Sequence, residues 1–132
     1  MYADDADGER ASEIIKEFIQ TQRESYYYGE ENMLVFNVTF KCKDGMRNVF
    51  LDAVFSEGIA SAARSEPGNL KYDWYISADN GTDLLLIEKY RDEESVAEHV
   101  RQPHTARLVK LKEAYVGDMI LEEYEDHGKG ID

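Results

Sequence analysis

NLKYDWYISADNGTDLLLIEKY, residues 69–90, reads as two strands folded back on a tight turn. Over Asn69 to Ser77, Leu70, Tyr72, Trp74 and Ile76 alternate with Lys71, Asp73 and Tyr75, the period-two pattern of a strand with two different faces. Asp79-Asn80-Gly81 supplies the turn residues of a hairpin, and Asp83 to Tyr90 is the return strand. The apolar run Leu84 to Ile87 has no solvent-facing residue, which predicts a sheet covered on both sides.

Helical patterns flank this hairpin. Downstream, Asp92 is a good N-cap for a helix beginning at Glu93, two acids in the first turn suit its dipole, and Val96, His99 and Val100 share one face. Pro103 fits the first position of a second helix, in which His104, Leu108, Leu111 and Tyr115 recur at helical spacing. A last strand covers Gly117 to Glu125. Upstream, Val49, Phe50, Ala53, Val54, Ile59 and Ala62 predict one helix up to about Arg64, which Ser65-Glu66-Pro67-Gly68 ends. Before it, Met33 to Lys41 alternates strictly and is largely apolar on both faces.

The resulting order, βαββαβ, is the ferredoxin-like α+β arrangement: an antiparallel sheet with helices on one face. The other face then needs a cover. A second copy of the sheet is the economical one, because Phe36 and Phe40, or Tyr72 and Trp74, would otherwise meet water; the expected state is a homodimer.

This domain spans residues 33–126. An acidic extension, residues 1–32, precedes it and carries an amphipathic helix from Glu9 to Glu24, with Ile14, Ile15, Phe18 and Ile19 on one side. A lone helix of that length is marginal in water, so its apolar stripe is expected to dock on the domain or on a partner. Residues 127–132 form a polar, glycine-bearing tail expected to be loose.

The chain has 132 residues, enough for one core that buries roughly 60 to 70% of the unfolded surface. Its formal net charge of −13 repels nucleic acid and anionic membranes. No apolar run reaches the roughly 18 to 20 residues of a membrane span, and the N-terminus lacks the order of a signal peptide, so a cytoplasmic address is expected. The single cysteine, Cys42, has neither a disulfide partner nor a metal-ligand neighbour and reads as a packing residue.

Four pieces of the chain carry a family resemblance: MLVFNVTFKCKDG (33–45), SEPGNLKYDWY (65–75), LLLIEKYRDEESVAEH (84–99) and QPHTARL (102–108). The E-P-G-x-L element at Glu66 to Leu70 and the E-H-x-x-x-P-H element at Glu98 to His104 are the more specific parts. In these the stretch from Met33 to Tyr124 resembles the antibiotic biosynthesis monooxygenase family, small dimeric α+β barrels that include quinol monooxygenases. The resemblance implies oxidation of a small quinol or polyphenol by dioxygen, with no flavin, metal or other cofactor. It also admits an isomerase of a small hydroxy-ketone or phosphorylated signal molecule, or a small-molecule-binding dimer without turnover.

Such chemistry needs a base, donors for an oxyanion and a dry aromatic pocket. By the resemblance His99 is the candidate catalytic base; the alternative is a half-buried histidine bonded to a backbone carbonyl. His104 is either a substrate contact or a joint between two helices. Asn37, Tyr72, Trp74 and Tyr90 are candidate donors and walls of a cavity between helices and sheet, or else core and interface residues. Glu88 stands out in an apolar strand and calls for an ionic partner, Lys71 or Arg107. A phosphorylated substrate would require Lys71, Arg101 or Arg107 to converge. Haem degradation is disfavoured, because Asn37 fits that branch's asparagine but His99 and Val109 fall where its tryptophan and axial histidine belong. Linear spacing shows no carboxylate–histidine metal set, phosphate loop or serine triad.

Overall fold

A computed structural model of the chain describes residues 32–127 together with Glu13 and Ile15. Strand β1 (Met33–Cys42) leads into helices α1 (Arg47–Ser56) and α2 (Ile59–Arg64). Strands β2 (Asn69–Ile76) and β3 (Asp83–Tyr90) form the hairpin, and helices α3 (Glu93–Val100) and α4 (Pro103–Tyr115) precede β4 (Val116–Asp126). The four strands lie in the order β2-β3-β1-β4, every neighbouring pair antiparallel. This is the ferredoxin-like α+β fold expected from the element order.

One difference lies between β1 and β2, where the apolar spacing predicts one helix and the chain forms two. Gly58 adopts the left-handed conformation at φ 75°, which ends α1 and starts α2 in a new direction. Both short helices then turn apolar residues inward: Phe50 and Val54 from α1, Ile59, Ala60 and Ala63 from α2.

The helix-covered face of the sheet is built by alternation. Leu34, Phe36, Val38 and Phe40 of β1 sit beside Leu84, Leu86, Glu88 and Tyr90 of β3, all buried. Phe40 stacks on Trp74 at 5.3 Å between ring centres and meets Phe50 at the same separation. Each such ring contributes on the order of 1.5–3 kcal/mol by leaving water. The opposite face carries rows that register pairs across all four strands: Tyr75, Leu85, Thr39 and Ile120; then Asp73, Ile87, Asn37 and Glu122. No described helix covers these rows, and Tyr75, Ile120 and Tyr124 remain 43% to 48% exposed. Register therefore decides what the alternation left open: Phe36, Phe40, Tyr72 and Trp74 face the helices, and the second face is the one around Ile87.

The helix read over Glu9 to Glu24, the tyrosines 26–28 and the tail past His127 lie outside the described residues, except that Glu13 and Ile15 are helical and Ile15 is buried in the core. Among the described residues no helix is long and apolar enough to cross a membrane.

Gly68 ties the turn after α2 to α3. A Cβ placed there would lie 1.8 Å from Ser95 Oγ and 2.2 Å from Ser95 Cβ, so only glycine fits. Gly68→Ala is therefore expected to lower unfolding free energy by about 1–3 kcal/mol or more, the usual cost of overpacking. Gly81→Ala, with nothing within 4 Å, should change it by less than about 0.5 kcal/mol. Urea denaturation of the two variants checks the contrast, and equal losses would contradict the contact.

Candidate active site

Three separate pieces of chain converge under α3. Glu66 sits in the turn after α2, held by backbone bonds from Glu66 N to Ala63 O (3.1 Å) and from Asn69 N to Glu66 O (3.0 Å). Arg91 N donates to Gly68 O (2.9 Å), fastening that turn to the start of α3. Asp92 caps α3 as its sequence predicts, accepting from Ser95 N at 2.9 Å. The capped helix turns Val96 and His99 inward onto β3, where Glu88 and Tyr90 point up from the sheet.

His99 is only 1% exposed, and both its ring nitrogens are engaged. Nδ1 lies 2.8 Å from Glu66 Oε2, and Nε2 lies 3.2 Å from Glu88 Oε1. Tyr90 donates its hydroxyl to the same Glu88 oxygen at 2.7 Å. His104, on the first turn of α4, brings Nε2 to 2.6 Å from Glu66 Oε2. Thr105 donates to the His99 carbonyl at 2.7 Å, which fixes the α3–α4 corner.

The electrostatics follow from this crowding. Burial disfavours a charged His99, but hydrogen bonds to Glu66 and Glu88 outweigh it and raise the pKa to about 9. At neutral pH the ring is thus an imidazolium that donates to a carboxylate on each side. Burial pushes Glu66 up, yet the hydrogen bonds and charges of His99 and His104 leave it below the usual carboxylate value. Burial first, and the Glu88 charge second, raise Tyr72 and Tyr90 well above the ordinary phenol value.

Most of the residues singled out in the sequence meet here. Tyr90, Tyr72 and His104 lie with ring centres 5.2, 6.1 and 6.0 Å from that of His99. Trp74 is one step further out, 6.1 Å from Tyr72. Asn37 is not with them: its register partner Ile87 places it on the opposite face of the sheet. The space between α3 and the sheet is filled by this cluster. An open cleft of about 310 Å³ lies beside it, lined by Glu66, Gly68, Arg91, Glu94, Glu98 and Gln102 among others.

Glu88 has a different partner from the Lys71 or Arg107 that its sequence suggests. Lys71 pairs in register with Lys89 on the far face, and Arg107 binds Glu57. Arg101 pairs with Glu98, so Lys71, Arg101 and Arg107 do not converge on a phosphate site. Sequence reasoning assigned no role to Glu66, although it opens the E-P-G-x-L element; a carboxylate fixed ahead of Pro67-Gly68 was the available signal. Linear spacing also shows no carboxylate–histidine set, whereas folding brings one donor atom each from Glu66, His99 and His104 within 4.8 Å of one another.

Solved structures share the fold. A protein from Shewanella oneidensis is similar with a TM-score of 0.67 at 21% identity, covering 73% of this chain and 92% of that one. One from Pseudomonas aeruginosa gives 0.66 at 19% identity, over 73% and 95%. An antibiotic biosynthesis monooxygenase gives 0.61 at 23% identity, over 69% and 95%. No curated protein matches the chain. The model of the antibiotic biosynthesis monooxygenase family matches residues 33–111, the β1 to α4 unit that builds the cluster. With more than half of its length so matched, this chain belongs to the antibiotic biosynthesis monooxygenase family.

Proposed function

We propose that the chain is a monooxygenase acting on a small quinol or polyphenol, without flavin, at the Glu66–His99 cluster. The observation that carries this reading is that Glu66 belongs to two places at once. It lines the cleft, and it is hydrogen-bonded to a histidine buried behind it. A phenolic hydroxyl in the cleft meets Glu66 first, since His99 is 1% exposed and Glu88 and Tyr90 are fully buried.

In this mechanism Glu66 accepts the phenol proton, and the imidazolium of His99 holds the carboxylate in place and offsets its charge. His99 is then a positioning residue in the resting state, with the Glu88 carboxylate fixing its other nitrogen. The phenolate passes one electron to dioxygen, and the two radicals combine as a ring hydroperoxide. Loss of water completes the step: one quinol and one dioxygen give one hydroxyquinone and one water. Tyr72, Tyr90 and Trp74 wall the cluster, and the raised pKa of both tyrosines keeps them protonated at neutral pH.

The same reading makes the protein a cytoplasmic homodimer. Val35, Leu85, Ile87 and Ile120 give the uncovered face an apolar centre that a second sheet would bury. Asn37, whose buried side-chain oxygen has no partner among the described residues, would sit in that interface.

Oxygen-electrode assays with a panel of hydroquinones and catechols test the activity. At least one should be consumed, with Glu66→Gln slowing turnover by about 10²–10⁴-fold, the range for a lost general base. If no member of the panel is consumed faster than by Glu66→Gln, the reading is wrong. For the dimer, sedimentation should show Ile87→Asp shifting the population to monomer by more than about tenfold in Kd, since a buried unpaired charge costs several kcal/mol. An unaltered association constant would place the interface elsewhere.

A further inference from the structure

Glu66 Oε1 is a buried acceptor with no hydrogen-bond partner among the described residues. The side chain is 10% exposed, and its other oxygen already serves two histidines. An unmatched carboxylate oxygen at that depth is costly, and such atoms in folded proteins commonly mark a place for an ion or a water. The same carboxylate meets His99 Nδ1 and His104 Nε2 through Oε2, and the ligand atoms, one each from Glu66, His99 and His104, lie within 4.8 Å of one another.

We propose that Glu66, His99 and His104 form a binding site for one divalent transition-metal ion, with Glu88 as the outer partner that orients His99. Two imidazoles and one carboxylate favour zinc, iron, cobalt or nickel over calcium or magnesium, which want oxygen ligands throughout. A metal-binding histidine usually gives its second ring nitrogen to a carboxylate, and here Nε2 of His99 faces Glu88 while Nδ1 faces Glu66. Glu88 is itself held by Tyr90.

Charge agrees with this set. Glu66 and Glu88 place two negative charges in a buried space, which one divalent ion neutralises with both imidazoles neutral. Access runs through the cleft, whose rim holds Asp92, Glu94 and Glu98 beside Arg91. An acidic rim concentrates cations at its mouth. The hydrogen bonds of 2.8 and 2.6 Å to Glu66 Oε2 are the metal-free arrangement of the same donors, in which protons stand where the ion would go. A bound cation draws charge from the Glu66 carboxylate and makes it a poorer acceptor for a phenol proton, so the metal-bound chain would not turn over quinol by the metal-free route. The inference rests on donor geometry and not on that route.

The test is titration of the chelator-treated full chain with Co²⁺, followed by visible absorption and calorimetry. The expected result is one Co²⁺ per chain with the d–d bands of a mixed nitrogen and oxygen site. His104→Gln and Glu66→Gln should remove those bands, and Glu88→Gln should weaken binding by about 10–100-fold, as for a lost outer partner. Glu98→Gln, on the cleft rim, should leave the bands in place. His104 is the most exposed member of the set, and circular dichroism of His104→Gln distinguishes a lost ligand from a lost fold. Absence of the bands in the unaltered chain, or bands unchanged in folded His104→Gln, would overturn the site. A chain that consumes quinol yet binds no Co²⁺ keeps the oxidation reading and loses this one; a chain that binds Co²⁺ and consumes none does the reverse.

Discussion

Two carboxylates, Glu66 and Glu88, flank the buried imidazole of His99, and that charge balance constrains everything around it. Glu88 is fully buried on a central strand, where an unpaired carboxylate would cost several kcal/mol. His99 supplies the compensating charge, and it can do so only while α3 lies across β3 at the present height. The Asp92 cap, the Gly68–Ser95 contact and the Thr105 hydroxyl on the His99 carbonyl each fix one degree of freedom of that helix. The cluster is thus a structural joint as well as a chemical one. Its removal would free α3 and the turn bearing Glu66 together.

In the proposed function the same arrangement puts the proton acceptor at the edge of the cluster and not in its middle. A histidine bonded on both sides is a poor free base, whatever its ordinary pKa suggests. Glu66, between it and the cleft, is the member of the cluster that lines the open space. Burial keeps Tyr90 and Tyr72 behind it protonated; both wall the cluster, and Tyr90 donates to Glu88. Polar contacts run outward in one line, from Tyr90 through Glu88 and His99 to Glu66.

Local patterns made the frame of this molecule legible before any coordinates. Strict alternation in β1, the Asp-Asn-Gly turn, the Asp92 cap and Pro103 at the head of α4 are signals that act over a few residues, and each element appears near its expected place. The break at Gly58 escaped because apolar spacing continued across it, and only the backbone conformation reveals the change of direction. Partnerships were harder. Glu88 was conspicuous in its strand, yet its partner lay on a helix that linear distance could not select from several candidates. Glu66 and His99 are 33 residues apart and meet only through the sheet register and the packing of two loops. Asn37 fell on the far face for a similar reason: alternation defines two faces but not which of them the helices choose.

The two outer strands have a consequence for life in a crowded solution. Among the described residues the four-stranded sheet ends in two edges that pair with no further strand, and β4 is the longer of them at eleven residues. Rows of free amide and carbonyl groups on such an edge invite another chain to add a strand. β4 carries five acids, Asp118, Glu122, Glu123, Glu125 and Asp126, of which Asp126 is ion-paired with Lys89. Two identical margins approaching each other would bring like charges together at strand spacing, where repulsion is strongest. Part of the large negative charge of this protein thus lies where it disfavours edge-to-edge pairing of two copies.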